Sequence, residues 1–349
     1  MPTASPTASP TAWPFAARGP LSDALMGLLL GDPYEGDVTA LADQAIANAD
    51  DVIHDDDVQL SLFLLYASAY GSLSMCDPRL EWDPRLIAAR RILEENLERA
   101  LRELVPAPPM PERSQGEVAS ALFALTSAEG GPSLSRHLAK KATREQALEF
   151  LIQRSIYTLR EADPHSWAIP RLHGRAKAAL VEIQADEYGG GRPERVHAEI
   201  FAKAMRGAGL DDRYAGYVDV VPAVTLCSLN TMSMFGINRR LLGAIVGHLA
   251  AFEMTSSIPN RLYGDGLRRL GFDDDVTDYF DEHVEADAVH EQIAGRDLAG
   301  ALAEDRPELL ADIMFGASAC LFVDDLVGAH MLDSWRQERS SLRVLEAVA

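Results

Sequence analysis

The stretch His283-Val-Glu-Ala-Asp287-Ala-Val-His290 sets two imidazoles and a carboxylate at positions i, i+4 and i+7. On a helix of 3.6 residues per turn these side chains fall within about 60° of one another. A face of that kind suits a transition metal. The polar outer face of a surface helix would read the same way, since Glu282, Glu285 and Glu291 are close by.

Two further segments tip the balance toward a metal. Glu182-Ile-Gln-Ala-Asp186-Glu187 ends a helical pattern, Gly189-Gly-Gly191 breaks it, and His197 opens the next helical run. Carboxylates at a helix C-terminus oppose the helix dipole, and a cation is the simplest way to offset that cost. The plainer account has Asp186 and Glu187 solvated or paired with Arg192 and Arg195. In Leu159-Arg-Glu161-Ala-Asp-Pro-His165, a carboxylate and an imidazole sit near another helix end. Taken alone, Glu161 would read as a surface residue. Together, Glu161, Glu187, His197, His283, Asp287 and His290 make a candidate ligand set of three carboxylates and three imidazoles. Helix bundles hold paired irons with such sets, and mixed N/O ligation without thiolate favours iron or manganese over structural zinc. A rival scheme uses Glu194-Arg-Val-His197 and Asp287-Ala-Val-His290 as Glu/Asp-x-x-His pairs, the ferritin-like pattern, which makes Glu194 the ligand and Glu187 a bystander.

The elements that must position these residues are helical. Strand-like alternation is scarce, so the expected class is all-α. Helices are predicted over 143–162, 171–187, 194–207, 214–233, 238–255, 259–269, 274–294 and 306–336, a bundle of seven or eight. Before it, a helical block runs from Gly19 to Leu104, with Asp55, Asp56 and Asp57 as a helix-start signature and a second helix from Pro84 to Glu103. A Pro-rich breaker follows at 105–111, then a helix over 117–126 and a Gly-Gly-Pro turn at 130–132. The expected domains are a Pro/Thr/Ser tail at 1–18, a helical extension at 19–140 and the bundle at 141–349. The apolar faces of the extension (Leu60, Leu62, Leu64, Leu65) require burial on the bundle or on a second chain, as in a homodimer.

Composition narrows the function. The 349 residues are 47% hydrophobic and carry a net charge of −21 with a pI near 4.8. That charge argues against nucleic-acid binding and electrostatic membrane docking. Cys76, Cys227 and Cys320 are scattered and lack CxxC spacing, which points to a reducing cytoplasm and away from thiolate metal sites. The N-terminus has neither the basic nor the apolar region of a signal peptide. The longest strongly apolar stretch, 241–252, is too short to span a bilayer.

The spacing Glu187-x9-His197, the later His-x3-Asp-x2-His triplet and a Glu 26 residues before Glu187 resemble the haem-oxygenase-like di-iron oxidases and oxygenases. Asp-Glu-Tyr-Gly-Gly-Gly-Arg and Glu-His-Val-Glu-Ala-Asp-Ala-Val-His also look like the bacterial iron-containing redox enzymes of that superfamily. The resemblance covers about 143–335. It implies a haem-oxygenase-like bundle without haem, two Fe(II) ions that react with O2, and labile iron, because the helix with the triplet can rearrange. It favours Glu187 over Glu194, with Glu194 as an auxiliary ligand at most. The implied activities are amino-acid desaturation, N- and C-hydroxylation and oxidative C–C cleavage. The expected protein is therefore an O2-dependent oxidase or oxygenase acting on a small molecule, with an amino acid of specialised metabolism as the leading class. Electrons come from substrate or an external reductant, since no flavin or nicotinamide fingerprint is present. Alternatives are a haem-binding protein, an iron carrier or ferritin-like store, and a purely structural bundle.

Other residues carry blander readings. His165 could face the same site, but Pro164 disturbs the helix. His248 reads as a hydrogen-bonded core histidine. Glu253 belongs near the cavity or pairs with Arg261. Arg192, Arg239 and Arg240 could anchor a zwitterion. His54-Asp55-Asp56-Asp57 fits N-capping better than a cation site. Leu229 to Met234 reads as core packing, with Met filling gaps.

Overall fold

The computed structural model describes residues 13–127 and 132–344, with the backbone alone for 285–288. Segment 1–12 and residues 130 and 131 of the expected turn lie outside the described residues. The described chain is helical and contains no β-strand, only an antiparallel bridge between Tyr188 and Val196. It divides into two compact units, 1–98 and 99–349.

The first unit holds α1 (Pro20–Leu29), α2 (Val38–Asn48), α3 (Asp56–Tyr70) and most of α4 (Pro84–Leu104), which runs on into the second. Its aspartates act as caps. Asp55 accepts from Val58 N at 2.8 Å at the start of α3, and Asp57 accepts from Leu21 N at 3.0 Å and Ser22 N at 2.7 Å at the start of α1. Carboxylates there satisfy orphan N–H groups and complement the dipole. His54 Nδ1 pairs with Asp51 at 2.7 Å. The sequence assigned residues 13–18 to a tail, but they pack. Trp13 Nε1 donates to Met26 O at 2.9 Å, Phe15 is buried edge-on to Phe63, and Arg18 pairs with Asp56 at 2.8 Å. Two aromatic rings and a guanidinium in six residues supply the burial that the Pro/Thr/Ser composition before them lacks.

The second unit contains α5 (Gln115–Thr126), α6 (Leu134–Lys140), α7 (Arg144–Thr158), the single turn α8 (Asp163–Ser166), α9 (Gly174–Glu187) and α10 (His197–Gly207). It continues with α11 (Ala223–Ile237), α12 (Leu242–Met254), α13 (Ser257–Arg269) and α14 (Asp274–Gln292). A π-helix at Ile293–Gly300, then α15 (Ala301–Asp305) and α16 (Leu310–Arg336), complete it. The region 99–140, expected with the extension, falls in this unit, where α5 packs on the π-helix and α6 on α13.

The helix α12 is the axis of the unit. Its neighbours include α5, α8, α11, α14, α16 and the π-helix. A helix enclosed on every side must be apolar all round, as Leu242 to Ala251 is, apart from His248. A Cβ at Gly247 would strike the Ile313 carbonyl, and one at Gly316 the Ala244 carbonyl, so these glycines let α12 and α16 approach backbone to backbone. A second packed layer joins α7, α10, α13, α14 and α16 through Phe150, Phe201, Tyr263, Phe280 and Trp335.

Candidate metal centre

Four helices and the turn after α7 aim carboxylates and imidazoles inward. The capping box of Thr143 and Gln146 starts α7. That helix ends at Thr158, short of the predicted 162, so Glu161 lies beyond it in a turn. The chain turns at Ala162, which holds φ 72°, a left-handed conformation costly for any residue with a Cβ. This turn swings Glu161 inward, where it is only 7% exposed.

Glu187 and His197 come together through the glycine run. A Cβ at Gly189 (φ 75°) would sit 2.7 Å from both Arg195 C and Val196 N, so only glycine lets the chain double back. The Tyr188–Val196 bridge closes this hairpin. Glu187 Oε2 then lies 2.9 Å from His197 Nδ1.

From α14, His283 Nδ1 donates to Tyr279 O at 2.7 Å, which leaves Nε2 toward Glu161 Oε1 at 3.7 Å. A ligating histidine is usually held by its second nitrogen in this way. The Tyr279 hydroxyl reaches both oxygens of Glu161 at 2.8 Å. His290, two turns along, is 2% exposed; its Nε2 is 3.0 Å from Asp186 and its Nδ1 3.4 Å from Glu253 Oε2. The side chain of Asp287 lies outside the described residues.

Two ligand-like groups emerge among the described residues. Glu161, Glu187, His197 and His283 each offer an atom within 4.8 Å of the others, and Glu187, Glu253 and His290 do the same. All six residues are buried, and Glu187 is common to both groups. Buried like charges are expensive unless something offsets them, and a carboxylate shared by two such groups can bridge two cations. The donor set, N and O without sulfur, fits iron.

Residues 148–325 match the iron-containing redox enzyme family. The chain belongs to that family. A nitrosourea synthase from Streptomyces achromogenes subsp. streptozoticus is 29% identical over 165 residues, 47% of this chain and 35% of that protein. The chain thus spans about a third of that relative's length. Two crystal structures of a CADD-like protein of unknown function from Nostoc punctiforme PCC 73102 superimpose at TM-score 0.45, with 17% and 16% identity, over 69% and 72% of this chain and 97% and 99% of theirs. The haem-oxygenase-like, all-α fold expected from sequence is the fold of this iron-containing redox enzyme.

Of the six residues named from sequence, five converge: Glu161, Glu187, His197, His283 and His290. Glu194 is exposed in a short 3-10 turn at Pro193–Arg195 and joins neither group. His165 is buried beside the groups but turns its Nε2 to His248 Nδ1 at 3.3 Å. Glu253 faces His290 rather than Arg261, and it is the acidic residue missing from the sequence-derived set. Its signal was a lone carboxylate closing the apolar run of α12. Tyr279 was also missed. It stands one turn before His283 and so shares its face. Arg192, Arg239 and Arg240 are exposed and do not line the cavity. Among the described residues, no single helix is long and apolar enough to cross a membrane.

The electrostatics of the two groups differ. Burial pushes the Glu161 carboxyl up, but His283, His197 and the Tyr279 hydroxyl outweigh it and hold Glu161 below the ordinary range. Burial raises Glu253, with Glu187 adding to the effect and His290 opposing it. Burial pulls His290 down, yet Glu253, Asp186 and Glu187 prevail and carry it to about 9. Burial and the neighbouring His248 keep His165 well below its usual value, and burial takes His248 to about 3. The cavity between these residues is also lined by Tyr157, Ala162, Gln184, Leu249, Phe252 and Ser256. Its free volume is about 10 Å³, on the order of what one water needs.

Proposed function

We propose that this iron-containing redox enzyme is an O2-dependent non-haem di-iron oxidase or oxygenase that oxidises a C–H or N–H bond of a small molecule. The observation that carries the reading is the sharing of Glu187 between two buried ligand groups. Glu161, His197 and His283 would hold one ion, and Glu253 and His290 the other. Asp287 is assigned to the second ion by its place in the triplet, and Glu187 spans both. Two Fe(II) ions, when bound, supply the O2 chemistry that breaks an unactivated bond.

The chain's own residues supply the rest. Tyr279 holds both Glu161 oxygens and, through its carbonyl, the tautomer of His283, so two ligands are oriented by one residue. Asp186 steadies His290 from outside. Leu249 and Phe252 keep one wall of the cavity apolar and limit water near the reacting centre. The relative named as a nitrosourea synthase supports a nitrogen-bearing substrate, and an amino acid of specialised metabolism is the class to examine first. Electrons come from the substrate or from an external reductant. The test is anaerobic Fe(II) loading followed by O2, with and without an amino-acid panel. A transient visible absorption accelerated by one of these compounds is the expected result. Iron uptake with O2 consumption indifferent to every compound would instead mark an iron carrier or store.

A further inference from the structure

The cavity beside the ligand groups is lined by donors as well as acceptors, and the donors are not equally committed. Gln184 spends both amide protons, one on the Ala162 carbonyl at 2.9 Å and one on Ser166 Oγ at 2.7 Å. His283 gives its Nδ1 proton to the Tyr279 carbonyl. His165 shares one proton with His248, and its other nitrogen donates in only one of two tautomers. Two hydroxyls remain. Ser256 Oγ accepts from Asn260 Nδ2 at 2.7 Å. The Tyr157 hydroxyl lies 3.5 Å from Ala162 N, a long contact in which it too is the acceptor. Among the described residues neither hydroxyl proton has an acceptor.

The two differ in how firmly they are aimed. A serine proton rotates freely to suit its surroundings, whereas a phenol proton keeps to the ring plane. The Tyr157 ring is set edge-on to Phe252, with centroids 5.3 Å apart at 84°. Its hydroxyl reaches Ala162, next to Glu161, and the charges of Glu161, Glu187 and Glu253 all act on it. A phenol is protonated at neutral pH, and here burial and those charges push its pKa higher still. Tyr157 is thus a fixed donor among the three buried carboxylates.

The space it borders lies to one side of the ligand groups. His197 and His290, one from each group, do not line it, whereas Glu161, Glu187 and Glu253 do. Cations held by both groups would draw the carboxylate lone pairs toward themselves and leave the phenol proton to whatever else the ions carry. The room on this side, about 10 Å³, takes one water-sized molecule. Resting on the di-iron reading for the ions themselves, we propose that Tyr157 is the hydrogen-bond donor to a water-sized oxygen ligand, water or hydroxide, that the metal centre holds in this cavity. A catalytic metal keeps one position for an exchangeable ligand. O2 has to displace that ligand, so Tyr157 sets how firmly the open position is held.

The test uses the full chain loaded with redox-inert Zn(II), and fluoride as a water-sized acceptor that stands in for hydroxide. With zinc content and helicity kept, Tyr157→Phe should bind fluoride about tenfold more weakly than the wild-type protein, because a hydrogen bond to a charged group is lost. Fluorine NMR reads the affinity. Ser256→Ala should stay within about twofold of wild type. In wild-type protein carrying ¹³Cζ-tyrosine at position 157 alone, fluoride should move that resonance when Zn(II) is bound and leave it in place without metal. This reading decides should Tyr157→Phe lose metal. Fluoride affinity unchanged in Tyr157→Phe with zinc retained, a larger loss in Ser256→Ala, or an unmoved resonance would overturn the proposal. The two readings fail separately. Fe(II)-loaded protein inert toward O2, with fluoride binding still dependent on Tyr157, would remove the oxidase alone. Zinc held with fluoride indifferent to Tyr157 would remove the phenol alone.

Discussion

Replacing Glu187 by alanine takes a carboxylate from both ligand groups at once. Glu194, exposed and outside both groups, should matter much less. Glu187→Ala is therefore expected to lose most of its iron, with O2 consumption down by more than about tenfold, while Glu194→Ala stays near wild type. Metal analysis of the two variants side by side checks the ranking, and the reverse order would restore the ferritin-like pairing. A pH effect follows from His290. Its pKa is raised to about 9 by Glu253, Asp186 and Glu187 against the pull of burial, so at neutral pH the metal-free ring carries a proton that a metal must displace. Fe(II) loading at pH 7.5 should release protons, and this release should decline as the pH passes 9. Calorimetry in buffers of differing ionisation enthalpy measures it. The sign for stability is the same. A raised pKa gives the metal-free fold a contribution that is complete below the unfolded value near 6.5 and is lost as the pH rises through about 9. Metal-free protein should thus melt lower at pH 9.5 than at pH 6.

At the scale of the element, α14 carries His283, Asp287 and His290, then passes into the π-helix at Ile293–Gly300. π-helical turns are uncommon and often accompany functional sites, because the widened register redirects the side chains on either side. Without cations, Glu161, Glu187 and Glu253 converge in a buried space with only imidazoles to oppose them. Local opening of α14 would let water solvate those carboxylates at far less cost than unfolding. Amides of 280–294 should therefore exchange faster in metal-free protein than with Fe(II), and bound metal should raise the melting temperature by linkage. Hydrogen exchange with and without Fe(II) reads this directly. Equal protection in both states would mean that the site is preformed.

Across the whole molecule, the two units bear different burdens. Both ligand groups lie in the unit beginning at Arg99, and the unit ending at Glu98 contributes none of their residues. Residues 13–18 nevertheless pack on the first unit, with Phe15 buried in its core. Removing 1–12 is compared with removing 1–18 by thermal or denaturant melting. The longer truncation should destabilise the first unit by about 3 kcal/mol or more beyond the shorter one, since it deletes the buried Phe15, an aromatic core side chain. Iron content should be the same in both, because neither deletion touches a ligand. Equal stability of the two truncations would show that the packing of Trp13 and Phe15 contributes nothing.

The His-x3-Asp-x2-His triplet was legible in the sequence because a helix repeats with a fixed angle, so three residues share a face whatever surrounds them. Helix class followed from periodicity, and the cap at Asp55 from local hydrogen-bonding chemistry. The Gly189-Gly-Gly191 break was visible as well, though not what it accomplishes. Only the close approach of Gly189 to the backbone at Arg195 and Val196 reveals a hairpin that sets Glu187 beside His197. Glu253 could not be assigned from its neighbours in sequence. It lies in an apolar helix, and its partner His290 is brought to it by the packing of α12 against α14. The choice of Glu187 over Glu194 was favoured by the family resemblance, and its physical basis is the way the chain turns after the helix. The orientation of the Gln184 amide depends on Ala162 and Ser166, which come from another segment. Sequence by itself determined the residue types and their spacing along each helix. Tertiary structure alone decided which helices face each other, because that follows from the burial of the whole apolar surface and not from any local rule.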